Sequence, residues 1–277
     1  MPPAPTAVTV GRATAVAWPP QHGLAVALAE AADRAAPFPG IGSLPNRPIR
    51  LILAPSRVAF DSLTRGRLPS WSEGAAFPDV GTVVLLTTGP PDRLTVALRH
   101  ELAHLALRWR VQRPLPLWFE EGYAAVAAAE WGRLDALRLN WQVARGVRMN
   151  LDDVDRALRS DRTDAGSAYA LAATAVLLLD RWGGLERLID NLAREPTFDA
   201  ALRATYYMTE GDFEGRWQRD LALRYGWLSW AEAAGLFWAV AGLLLVWLVR
   251  RRRRRDLVRR AALDEGWTVP PEDDPTA

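Results

Sequence analysis

The sequence predicts an α+β fold, in which a small mixed β-sheet packs on a mainly helical half. A histidine-bearing helix lies between them, and one transmembrane helix follows near the C-terminus. Three observations predict this. Short apolar runs bounded by Pro and Gly all lie before Gly89, and beyond Arg113 the apolar spacing is almost wholly helical. Strands first and helices afterwards is the order of an α+β chain, not of alternating βαβ units. Finally, seventeen residues without a charge, Ala233 to Val249, run directly into six arginines, Arg250 to Arg255.

Composition narrows the field. A chain of 277 residues, 49% hydrophobic and 24% charged, has material for a packed core and is not disordered by composition. Cysteine is absent, which excludes disulfides, thiolate metal sites and a cysteine nucleophile. All 34 basic residues are arginine, a bias of composition that carries no functional reading. The tail 250–277 holds eight arginines and six acids, so residues 1–249 carry 26 of each and are neutral as a whole. A neutral main domain lacks the electrostatic footprint of a nucleic-acid binder, and no nucleic-acid partner is expected.

Taken in order, residues 1–11 read as a flexible lead to a main domain over 12–226. "ATAVAW" (13–18) reads as a strand, "GLAVALAEAADRAA" (23–36) as a helix and "PIRLILA" (48–54) as a second strand. The segment "PFPGIGSLPNRP" between them is a Pro/Gly loop, and His22 in "PPQHG" reads as a surface turn histidine. "FDSLTRGRLPSWSEGAAFPDVG" is turn-rich, with a short helix near Asp61. "GTVVLLTT" (81–88) is the clearest strand, and "GPPD" closes it with Asp92 as the expected N-cap of a helix over 93–109. Helices are then expected over 117–131, 133–145, 152–159, 167–182, 184–194, 197–205 and 211–224. No internal repeat is visible.

The C-terminal apolar stretch reads as a transmembrane helix over 228–249, with Trp227 and Trp230 as interfacial anchors. The arginine run reads as a stop-transfer signal. It implies a single-pass protein with a basic cytoplasmic tail, 250–277, and an extracytoplasmic main domain. The N-terminal "MPPAPTAVTVGRATAVAW" has neither the basic nor the apolar region of a signal peptide. The expectation therefore includes an upstream start or another route of translocation.

The chemistry concentrates in "LRHELAHLALRW", residues 98–109. On a helix over 93–109, Leu94, Leu98, Leu102, Leu105 and Trp109 fall within about 40° of one line and form a core stripe. His100 and His104 lie roughly opposite that stripe, about 40° apart and about 6 Å along the axis. That spacing lets both imidazoles reach one tetrahedral ion, and Glu101 beside them can accept a proton from an attacking water. This is the HExxH arrangement, two histidine ligands and a general base. "PLPLWFEEGYAAVAAAEW" follows, with Pro116 suited to the first turn of a new helix. A helix–loop–helix of that length can return a carboxylate, Glu120 or Glu121, to the metal.

HELAH followed by WFEEG resembles the gluzincin zinc metallopeptidases, most closely the bacterial peptidase MA-like domains. In that family the glutamate before glycine binds zinc. The resemblance therefore implies His100, His104 and Glu121 as ligands of Zn2+, Glu101 as the base and a zincin-like fold. Glu120 falls at the family's variable position. "AYALAATAVLLLDRWGG" is similar to the family's Tyr-bearing helix, which makes Tyr169 the candidate donor to an oxyanion. The strand 82–88 would border the cleft and could pair with an extended peptide or protein substrate. The thermolysin-like aspartate four residues after the glutamate ligand is missing, since Ala125 stands there, so what orients the histidines is open. The resemblance covers roughly 45–195 and is specific at 100–122. The implied activity is peptide hydrolysis. An inert zinc-containing peptide-binding module and a zinc hydrolase of non-peptide substrates remain alternatives.

Overall fold

The computed structural model describes residues 4–66, 68–130, 149–160, 165–225, 238–239 and 241–252. A five-stranded sheet of order β1-β2-β3-β5-β4 forms one side of the main unit. Strands β1 (Thr6–Val10) and β2 (Ala13–Ala17) make an antiparallel hairpin turning at Gly11, whose φ of +53° suits a residue without Cβ. Helix α1 (His22–Asp33) carries the chain across to β3 (Ile49–Ala54), parallel to β2. Helix α2 (Arg57–Thr64), capped by the Ser56 hydroxyl, carries it on to β5 (Thr82–Leu86), parallel to β3. Between α2 and β5 runs β4 (Gly74–Phe77), the antiparallel edge strand.

Side-chain alternation divides the sheet into two faces. Leu51, Leu53, Val83 and Leu85 point into the main core with α1, whereas Ala54, Val84 and Leu86 pack with Phe60 of α2 on the other side. Every residue of β5 is buried, so it reads in sequence as an unbroken apolar run rather than an alternating one.

Helix α3 (Pro91–Val111) lies on the main-core face and joins the sheet to the helical half. Leu94, Leu98, Leu102 and Leu105 are each 3% exposed or less, and Trp109, half-buried, donates its indole N–H to the Pro78 carbonyl at 2.9 Å. The remaining helices are α4 (Leu117–Ala127), α5 (Leu151–Leu158), α6 (Ala165–Arg181), α7 (Leu185–Arg194), α8 (Phe198–Tyr206) and α9 (Glu210–Tyr225). Trp118 of α4 stacks on Phe213 and meets Phe198 edge-on, an aromatic knot that ties α4 to α8 and α9.

Several expectations need correcting. Half of the predicted transmembrane helix over 228–249, residues 228–237 and 240, lies outside the described residues. Among the described residues no helix is long and apolar enough to cross a membrane. The single-pass, extracytoplasmic assignment built on that helix is withdrawn, and with it the transmembrane part of the fold class. The tail beyond Arg252 and the helix expected over 133–145 also lie outside the described residues. The supposed flexible lead contains β1, which alternates half-buried Val8 and Val10 with exposed threonines. The N-cap of α3 is Pro90, with Pro91 at the first helical position and Asp92 in the first turn. Strand β5 is internal, paired on both sides, so it cannot accept a peptide; the edge strand next to it is β4.

Candidate metal centre

His100 and His104 stand one turn apart on α3 with ring centroids 5.0 Å from each other. The third donor comes from α4. Its first turn is anchored by Asp155 of α5, which accepts the Leu117 N–H at 3.2 Å, and by buried Trp118 and Phe119. Those anchors leave Glu121 facing α3. Gly122 follows because α4 and α6 touch there. A Cβ at this position would lie 2.6 Å from the Ala172 carbonyl carbon and 2.9 Å from Val176 Cγ2.

One carboxylate oxygen, Glu121 Oε2, lies 3.4 Å from His100 Nε2 and 3.7 Å from His104 Nε2. Donors about 2.0–2.1 Å from a common tetrahedral ion are separated from one another by about 3.3–3.4 Å. The contacts are thus long for hydrogen bonds and suited to the edges of a coordination tetrahedron. One donor atom from each of His100, His104 and Glu121 falls within a mutual 4.8 Å. Glu120 is turned elsewhere: its Oε1 accepts the Leu115 N–H at 3.2 Å and lies 3.9 Å from Arg108 Nη1. Of the two carboxylates the sequence offered, only Glu121 reaches the histidines.

Electrostatics at Glu121 and His104 suit ligands, while His100 is held by two carboxylates. For Glu121, burial pushes the pKa up, but His104 and His100 outweigh it and hold the carboxyl at about 2. Burial lowers the His104 pKa, which favours the neutral imidazole that a metal requires. Burial would do the same at His100, yet the carboxylates of Glu121 and Glu130 overcome it and raise that pKa well above the usual range.

Glu130 was not foreseen from sequence. Its Oε1 lies 3.1 Å from His100 Nδ1, the ring nitrogen facing away from Glu121. Such a carboxylate fixes the ring and its tautomer. It reaches the site from the turn that ends α4. There Ala129 adopts φ +55°, the Glu130 N–H returns to the Ala125 carbonyl at 3.0 Å, and the Ala129 N–H to Val126 at 3.1 Å. Left-handed alanine is uncommon, and nothing in the sequence marks it.

Glu101 is buried beside the triad without belonging to it. The Ala76 N–H of β4 faces its carboxylate and favours the charged form. Burial pushes the pKa of Glu101 up to about 7, with His100 opposing and Glu121 and Glu130 adding to the rise. Gly74 makes room for it, since a Cβ there would lie 2.7 Å from Glu101 Cγ and 2.8 Å from Cδ. Tyr169 of α6 arrives from the other side. Its ring meets Trp71 edge-on at 5.2 Å and lies 6.3 Å from His100, and its hydroxyl faces Glu121. Trp71, like Glu130, was not singled out from sequence. His22, at the start of α1, is exposed and outside the group, as expected of a surface residue.

These groups open on a cleft of about 680 Å³, whose wall includes the edge strand from Gly74 to Phe77. A smaller lobe of about 270 Å³ adjoins it on the His100 side, lined by Glu73, Arg93 and Glu130. Comparison with protein-family models, curated proteins and solved structures finds no match to this chain. The reading of the site therefore stands on its geometry.

Glu130 offers a direct check on the metal centre. Glu130→Ala is expected to weaken zinc binding by about 10–100-fold, as loss of a carboxylate behind a ligating histidine does, while saturating zinc still fills the site. Competition against a chromophoric chelator measures this. Unchanged affinity would remove Glu130 from the centre.

Proposed function

We propose that this chain is a zinc-dependent metallopeptidase, in the manner the gluzincin resemblance implies. One observation carries the proposal. Three donors of zinc-binding type converge on one point, and a buried carboxylate that is not a donor stands beside them in a cleft walled by a strand edge. Two imidazoles and one carboxylate are a donor set of catalytic zinc, and three protein ligands leave a position open. When bound, zinc supplies Lewis-acid polarisation of a carbonyl and makes a water more acidic.

The chain's own residues do the rest. Glu101 takes the proton from the attacking water and passes it to the leaving amine, and its burial strengthens its hold on that proton in between. The Gly74 backbone leaves room for the Glu101 side chain against β4, and Glu130 fixes the His100 ring. Tyr169, whose burial keeps the hydroxyl protonated, is assigned the developing oxyanion. An extended peptide lying in the cleft meets the β4 edge, not β5.

The test is zinc content of the full chain together with cleavage of a broad peptide library. One zinc per chain with peptide hydrolysis is the expected result. Zinc without hydrolysis would leave a binding module, and absence of zinc binding would sink the proposal.

A further inference from the structure

The two lobes of the cleft differ in charge. Besides His100 and Glu101, the smaller lobe carries, among the described residues, Glu73 and Glu130 against Arg93, which pairs with Glu73 at 3.8 Å. Among the described residues the larger lobe, which extends past His104, carries Arg108, Arg113 and Arg159, against Glu120 as the only acid apart from Glu101 and Glu121.

Two of these arginines have unused donors. Arg108 lies one turn beyond His104 on α3, and its Nη1 is buried without a hydrogen bond. Its ion-pair partner, Glu120 Oε1, is 3.9 Å away and already accepts the Leu115 N–H. Arg113 donates Nε to the Leu192 carbonyl at 2.8 Å, which holds the guanidinium in place, while its Nη2 is buried and unbonded. A guanidinium does not shed its proton, so a buried N–H on it without an acceptor costs free energy until something supplies one. A carboxylate is the planar, two-oxygen acceptor that a guanidinium matches best.

We infer that the larger lobe selects peptides bearing a carboxylate on the His104 side of the metal centre, held by Arg108 and Arg113. The proposal rests on the peptidase reading above and deepens it by naming the substrate class. The carboxylate has two possible sources, an acidic side chain or a peptide C-terminus, and both present the same group to the arginines. Arg159, in an ion pair with Asp155 at 3.8 Å, adds positive potential to the lobe.

The experiment uses the zinc-loaded full chain carrying Glu101→Gln and three hexapeptides titrated by calorimetry. One is neutral with both ends blocked, one has a single central glutamate with blocked ends, and one is neutral with a free C-terminal carboxylate. At least one carboxylate peptide is expected to bind about tenfold or more tighter than the blocked neutral one, the scale of a charged hydrogen bond. Which of the two does so identifies the source. Arg113→Gln is expected to shrink that ratio severalfold, and Arg108→Gln likewise, with one zinc per chain retained as the sign of an intact site. Should Arg108→Gln lose zinc, Arg113→Gln decides alone.

A ratio near one, a ratio that survives both substitutions, or no binding by any peptide would overturn the inference. Hydrolysis of the same peptides by the unsubstituted protein separates the two ideas. Cleavage without preference for a carboxylate sinks the selectivity and leaves the peptidase, whereas a binding preference without any cleavage sinks the peptidase and leaves the selectivity.

Discussion

Glu101→Gln is expected to lower peptide turnover by about 10²–10⁴-fold while the protein still holds one zinc per chain. Glutamine keeps the size of the side chain and an oxygen that can accept the Ala76 N–H, so the local packing against Gly74 survives. What it loses is the ability to take a proton. Because Glu101 lies outside the donor group, metal content should not follow activity down. The measurement is turnover at matched zinc occupancy. Equal rates for the two proteins would remove Glu101 from the mechanism.

The second large effect concerns the ligands. His100→Ala, His104→Ala and Glu121→Ala are each expected to lose most of the zinc under conditions that saturate the unsubstituted chain, and all detectable hydrolysis with it. Glu120→Ala should keep its zinc, because that carboxylate is committed to the Leu115 N–H and Arg108. The adjacent pair makes a sharp comparison. If Glu120→Ala lost zinc and Glu121→Ala retained it, α4 would be rotated by one residue from the position described. Metal analysis after gel filtration distinguishes these outcomes.

How much of this was visible in the sequence depended on whether a residue's role is local. The apolar stripe and paired histidines of α3 follow from helical spacing alone, and the structure delivers both. The motif WFEEG was legible as a unit, because its anchors, its donor and its glycine all lie within one turn and a half of helix. Glu130 was not legible, since it reaches His100 only through a left-handed alanine that propensity disfavours. Strand β4 was hidden for a related reason. Its four residues, "GAAF", have no β-branched side chain, and β5 and Glu101 give them their conformation. The apolar stretch near the C-terminus shows the opposite failure. Hydropathy suggested a long span there, and the described residues contain none.

The contact between Glu101 and β4 also bears on the solubility of the protein. A sheet edge with unpaired N–H and C=O groups is a template on which other copies of a chain can polymerise. In β4 the Ala76 N–H faces the Glu101 carboxylate, and the Gly74 carbonyl accepts the Ser72 hydroxyl at 2.8 Å. The strand is only four residues long and runs straight into Pro78, which has no N–H to continue a ladder. Glu101 thus stands over part of this edge and leaves the rest open to the cleft. Removing that side chain bares more of the template: Glu101→Ala is expected to self-associate at concentrations where Glu101→Gln, which keeps a polar side chain of the same size beside Ala76, stays dispersed. Light scattering on the two variants side by side reads the difference, and identical behaviour would mean that the brevity of β4 and Pro78 protect the edge unaided.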